Sequence, residues 1–225
     1  MLILIDDANL EGIKEVYSKM PCDGVTTNPS ILKRQNKNPM EVLKSIREYL
    51  PPQAQLHAQV ISLKAEDMVR EAQHMRSILG YDLYIKVPVT SEGIRAMKLL
   101  NDLNINITGT AIYTAMQGFI AGKAGAKYVA PYINRLDNMG ADGVQVAKDI
   151  HDMLKTSNLE TEVVAASFKN SQQVYNLCKY GIGAATVAGD VLMGLIKHDA
   201  TTNAVDVFTN DFYSLVGENK TMLDV

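Results

Sequence analysis

Short apolar runs rich in Ile, Val, Leu and Thr alternate along the chain with longer segments in which apolar residues recur every three or four positions. The first pattern predicts strands and the second amphipathic helices. The strand candidates are 2–6, 24–27, 55–61, 82–87, 105–110, 127–133, 162–167 and 184–187. They lie roughly 20–35 residues apart, which is the rhythm of βα units around a parallel sheet. Start and stop signals support the helices between them. Asn38-Pro39-Met40-Glu41 offers an N-cap, a proline at the first helical position and an acid at the third, with Met40, Leu43, Ile46 and Leu50 following at helical spacing. Thr90 and Asn170 are placed to cap two later helices, and Gly80, Gly125 and Gly181 fall where helices should end.

Eight such alternations predict an α/β fold, a single-domain (β/α)₈ TIM barrel over residues 1–225. An open doubly wound sheet is the alternative, and it calls for a Gly-rich phosphate loop after the first strand. Asp-Ala-Asn-Leu-Glu-Gly follows Asp6 instead. After the eighth unit a further amphipathic helix is expected at about 201–217. With the barrel already complete, its Phe208, Phe212 and Leu215 form an apolar face that needs cover, so this helix is expected to pack on a neighbouring subunit.

Hydrophobic residues make up 47% of the 225, enough for one sizeable core. The formal net charge of −3, with Lys and Arg scattered, gives no nucleic-acid surface. No run reaches the ~18 apolar residues of a membrane span. The opening MLILIDDANL lacks the basic start of a signal peptide. Cys22 and Cys178 stand far apart outside any CxxC context, which reads as reduced thiols in a cytoplasmic protein.

Polar residues gather at the C-terminal ends of the strand candidates: Asp6, Thr26-Thr27-Asn28, Gln59, Lys86, Thr108 and Thr110, Tyr132 with Asn134 and Arg135, and Ser167. That rim is where barrel active sites form. Lys86 is the sharpest feature. In Leu83-Tyr84-Ile85-Lys86-Val87-Pro88 the alternation sends Leu83, Ile85 and Val87 to the outer helices and turns Lys86 inward. Desolvation there lowers its pKa, and a neutral amine can attack a ketone to form an imine. Asp6 is the carboxylate placed to face it, as a base or as a holder of hydroxyls. Arg135 and Ser167 follow strands where barrels often bind phosphate. A structural ion pair between Lys86 and Asp6, and a surface role for Arg135, are the plainer alternatives. Metal chemistry has little support: no two of His57, His74, His151 and His198 stand at i, i+4, and His57 alone is expected near the rim.

Five blocks carry a resemblance. Thr26-Thr27-Asn28-Pro29-Ser30-Ile31-Leu32, Ile85-Lys86-Val87-Pro88, Gly109-Thr110-Ala111-Ile112-Tyr113, Ala130-Pro131-Tyr132-Ile133-Asn134-Arg135 and Ala165-Ala166-Ser167-Phe168 resemble, in order, the signature segments of the transaldolase family. The length is similar to its short bacterial members, which include small transaldolases and fructose-6-phosphate aldolases. The resemblance implies an imine lysine on the fourth strand and a site of Lys86, Asp6, Gln59, Thr110 and Tyr132 for catalysis, with Thr26, Asn28, Arg135 and Ser167 binding substrate. It implies a sugar phosphate substrate, carbohydrate chemistry of the pentose phosphate kind, no metal or organic cofactor, and a homo-oligomer, typically a decamer of two pentamers. Two departures stand out. Asp7 occupies a position that is more often Thr, and Ala188-Gly189 follows strand 8 where proline is usual.

Two enzymes fit these residues. An aldolase would release the dihydroxyacetone unit to water, and a transaldolase would pass it to a second aldose phosphate. Transaldolases resembling this site usually carry Glu at the position of Gln59 and Phe at that of Tyr132. Gln59 and Tyr132, together with Thr110, would hold the water that frees the product, so fructose-6-phosphate aldolase activity is expected. A sugar-binding barrel without catalysis is the distant alternative.

Overall fold

A computed structural model describes residues 1–225. Eight parallel strands close into a barrel in the order β1 to β8: Leu2–Asp6, Gly24–Thr26, Gln55–Gln59, Tyr84–Pro88, Ile107–Ile112, Tyr128–Pro131, Glu162–Ala165 and Ala184–Val187. The ring closes where β1 pairs with β8, Leu4 opposite Thr186. The expected TIM barrel with an additional C-terminal helix is therefore the observed fold.

The helical caps form as the residue types demand. The Asn38 side chain accepts from the N–H groups of Met40 and Glu41 at the start of the helix Pro39–Tyr49 (α3), after α1 (Leu10–Lys19) and α2 (Pro29–Lys33). Thr90 caps Ser91–Asp102 (α5, following α4 at Ala65–Leu79), and Asn170 caps Ser171–Tyr180 (α9). Between them lie α6 (Ala115–Lys123), α7 (Ile133–Asp137) and α8 (Gly143–Thr156). Gly181 ends α9 at φ +97°, a conformation that favours glycine. At Gly93 the start of α5 presses on the end of β4, and a Cβ there would stand 1.8 Å from the Pro88 carbonyl oxygen. Only glycine allows that contact, which seats the strand carrying Lys86.

Strand ends depart from the apolar pattern by one or two residues, for identifiable reasons. β3 stops at Gln59 rather than 61 because the Glu71 carboxylate takes the N–H groups of Ile61 and Ser62, each at 2.9 Å. β5 runs on to Ile112 through a bulge between Gly109 and Ile112, with Ala111 at φ +58°. β6 ends at Pro131 because Ile133 already opens α7. β7 ends before Ser167, which sits at φ +63°.

The outer strand faces and the helices share one large apolar core, while a smaller cluster fills the barrel: Leu4, Tyr84, Tyr128, Ala130, Val164, Ala166 and Ala184. His57 belongs to this interior and not to the rim. It is fully buried and stacked on Tyr84 at 4.4 Å between ring centres. Its Nε2 donates to the Gln55 side-chain oxygen (3.0 Å) and its Nδ1 accepts from the Thr108 hydroxyl (2.9 Å). Alternation gave its face correctly but not its depth. The chain ends in α10 (Gly189–Gly194) and α11 (Asp199–Val216), and α11 buries none of its residues against the barrel. No helix is long and apolar enough to cross a membrane.

Candidate active site

A cavity of about 290 Å³ opens at the C-terminal ends of the strands. Lys86, in the middle of β4, reaches it between apolar neighbours that point the other way: Ile85 and Val87 are fully buried in the outer core. Lys86 itself is 4% exposed. Its Nζ donates to the Thr27 carbonyl at 2.9 Å and forms no ion pair with Asp6 within 4 Å. Burial pushes the ammonium below its usual pKa of 10.5, Asp6 opposes the shift, and Arg135 adds to it.

Asp6 ends β1 and lines the same cavity. Burial raises its carboxyl above the usual value of 3.8, against the pull of Lys86 and of a 2.9 Å hydrogen bond from Thr26. The Thr26 hydroxyl also meets that of Thr186 at 2.6 Å. The amine and the carboxyl are thus both displaced toward their neutral forms, an arrangement suited to nucleophilic attack by one and proton exchange by the other. Asp7 takes no part in this wall. Its carboxylate turns back to accept from the N–H groups of Ala8 and Asn9, and it acts on Asp6 only as a neighbouring negative charge that helps raise its pKa.

On the opposite wall the Tyr132 hydroxyl lies 3.1 Å from that of Thr110. Thr110, itself fully buried, precedes the β5 bulge at Ala111. Arg135 stacks over the Tyr132 ring at 4.6 Å and donates to the Tyr113 hydroxyl at 3.3 Å. Ser167 stands beside it, its carbonyl accepting from the Asn134 N–H at 2.8 Å.

The cavity therefore gathers Asp6, Asn28, Lys86, Tyr132, Arg135 and Ser167, with Thr26 and Thr110 one hydrogen bond behind. Gln59 pairs in register with Lys86 but lines a separate pocket, between α2, α3 and α4 with Leu32, Leu43, Glu71 and Met75. Ser30, Arg34, Phe168 and Lys169 also line the cavity, with Thr186 behind it, and none of them is among the residues the strand pattern singles out. These stand past strand ends, where alternation gives no direction, although Ser30 and Phe168 fall inside the recognised blocks. Asn28 lines the cavity and also caps α2, its side chain accepting from the Ile31 N–H at 3.0 Å. No group of three or more His, Cys, Asp or Glu side chains comes together as a metal site.

Comparison with known proteins agrees with this architecture. A family model described as transaldolase/fructose-6-phosphate aldolase matches residues 3–224. A protein of Streptococcus pneumoniae named "Probable fructose-6-phosphate aldolase" is 39% identical over 214 residues, 95% of this chain and 96% of its own. A protein of Methanococcus maripaludis named "Probable transaldolase" is 37% identical over 212 residues, covering 94% of this chain and 97% of its own.

Proposed function

The chain belongs to the transaldolase/fructose-6-phosphate aldolase family of enzymes, and on that premise we propose that it cleaves fructose 6-phosphate reversibly to dihydroxyacetone and glyceraldehyde 3-phosphate through an imine on Lys86. The observation that carries this reading is the buried Lys86 amine, displaced toward its neutral form, in one cavity with Asp6 and Tyr132.

The neutral amine adds to the C2 ketone, and loss of water gives an iminium. Asp6, as carboxylate, takes the C4 hydroxyl proton. The C3–C4 electron pair moves into the iminium, and glyceraldehyde 3-phosphate departs. The enamine left on Lys86 is protonated at C3, water adds at C2, and dihydroxyacetone leaves as the amine is restored. Arg135 and Ser167 hold the phosphate, and Asn28 and Thr26 order the hydroxyl side. Placing the water falls to the Thr110–Tyr132 hydroxyl pair together with Gln59, which stands in register beside Lys86 on the neighbouring strand. A phenol there can donate to water or to the enamine carbon, which favours hydrolytic release over waiting for an acceptor.

The name of the Methanococcus relative favours a second reading, transfer of the dihydroxyacetone unit to another aldose phosphate. Incubation with fructose 6-phosphate and no acceptor separates the two. Free dihydroxyacetone is expected. If it is absent while added erythrose 4-phosphate yields sedoheptulose 7-phosphate, the enzyme is a transaldolase. Tyr132→Phe is expected to slow release by about 10²-fold, the low end of the ~10²–10⁴ range of acid–base contributions, and to raise the share of transfer.

The expectation for the C-terminal helix stands as a proposal too: α11 docks on a second copy of the chain in a cytoplasmic homo-oligomer. Supporting it, Phe208 is 70% and Leu215 79% exposed on a helix with no buried residue. Truncation after Thr201 is expected to release smaller species in sedimentation, and a full-length monomer at micromolar concentration overturns the proposal.

A further inference from the structure

The mouth of the cavity carries a guanidinium that the protein itself does not use. Of the six arginines, five are engaged. Arg47 holds Asp82 and the carbonyls of Pro51 and Ala54, Arg70 pairs with Asp67, and Arg76 donates to the Tyr81 carbonyl. Arg95 holds Glu66 and Glu92, and Arg135 holds the Tyr113 hydroxyl and the face of Tyr132. The Arg34 side chain makes no hydrogen bond, ion pair or ring contact, yet it lines the cavity with Lys86.

Its backbone is nonetheless held firmly. Arg34 closes α2 at φ −64° and ψ −22°, its N–H bonded to the Ile31 carbonyl, and the buried Ile31 and Leu32 tie that helix to the core. In a ring of eight strands the loop after β2 lies across from the loop after β6, so Arg34 enters from the side opposite Arg135. Arg34, Lys86, Arg135 and Lys169 stand around the cavity against a single carboxylate, Asp6, on a chain whose net charge is −3. A positive mouth on an acidic protein selects and steers anions.

We propose that Arg34 is a specificity-determining residue: it grips the terminal phosphate of the sugar substrate from the rim opposite Arg135 and so selects phosphate esters over neutral sugars of the same length. This rests on reading the cavity as a sugar-phosphate site. An arginine free until its ligand arrives loses side-chain entropy on binding, so its net effect is smaller than that of a guanidinium already held in place.

Two measurements test it. In aldol addition to dihydroxyacetone, Arg34→Gln is expected to raise KM for glyceraldehyde 3-phosphate about tenfold, the size of one partly screened charge-assisted contact. Its kcat and its KM for unphosphorylated glyceraldehyde stay near the parent's. Arg34→Lys, which keeps the charge but not the fork, falls between. Independently of turnover, phenylglyoxal labelling of the unaltered chain, read by mass spectrometry at the Arg34 peptide, is expected to be blocked by fructose 6-phosphate and not by fructose. Equal KM changes for both aldehydes, or labelling that fructose 6-phosphate leaves untouched, overturns the assignment. A chain that turns over no sugar while fructose 6-phosphate still shields Arg34 overturns the catalytic reading and supports this one.

Discussion

Lys86→Met is expected to abolish both turnover of fructose 6-phosphate and covalent trapping by borohydride, with the fold intact. The amine is the nucleophile of the proposed chemistry, and no other lysine lies in a strand inside the ring of polar residues. Lys127, the nearest in sequence pattern, precedes β6 and lines a pocket with Asn104 and Glu160 at the other end of the barrel. Methionine matches the length of lysine and removes a charge that burial disfavours. Against that gain, the Thr27 carbonyl loses a 2.9 Å donor, costing about 1–3 kcal/mol. The two terms oppose each other, so the unfolding midpoint at neutral pH should move little. The pH dependence has a definite sign. In the folded protein the Lys86 pKa lies below 10.5, so the unfolded chain binds the extra proton between the two values. Charging Lys86 therefore penalises folding at every pH below the lowered pKa, and the penalty fades as pH rises to 10.5. The methionine variant should lose that alkaline gain. Digestion and mass spectrometry after reduction with borohydride locate the adduct, and an adduct on any other lysine sinks the assignment.

What the amino-acid pattern reveals about such a site follows from what alternation encodes. In a strand, parity fixes the face, so Lys86 among Leu83, Ile85 and Val87 could be turned inward without coordinates, and Asp6 with it. Parity says nothing of height along the barrel axis, which depends on the stagger of neighbouring strands. His57 was for that reason expected near the rim, although it lies in the packed interior against Tyr84 and Thr108. Gln59 pairs with Lys86 in register at the end of β3, and the strand stops there because the Glu71 carboxylate takes the N–H groups of Ile61 and Ser62. Arg34, Lys169 and Thr186 were not singled out because loop and helix-end directions come from tertiary packing. The positive φ angles at Ala111 and Ser167 likewise lie outside any periodicity, although both border the cavity wall, where such strain tends to collect.

Arg135→Ala is expected to raise KM for glyceraldehyde 3-phosphate, and for fructose 6-phosphate in cleavage, by about 10²-fold, which corresponds to the loss of a charge-assisted interaction worth about 1.5–3 kcal/mol. The figure exceeds that for Arg34 because of preorganisation. The Arg135 guanidinium already lies over the Tyr132 ring at 4.6 Å and is tied to the Tyr113 hydroxyl, so little freedom remains to be lost when phosphate arrives. Ser167, fixed at φ +63° with its carbonyl held by the Asn134 N–H, lines the same cavity. Unphosphorylated glyceraldehyde should be affected far less, since it brings no anion to that wall. Removing Arg135 also takes a cation from above Tyr132, so a modest fall in kcat common to both aldehydes is expected on top of the selective rise in KM. Steady-state kinetics with the two aldehydes separates these effects, and equal KM losses for both would count against a phosphate role. Combining Arg135→Ala with Arg34→Gln sharpens the question. Two cations gripping one phosphate act as a unit, so the double variant should lose less than the product of the single losses, whereas independent anion sites would multiply.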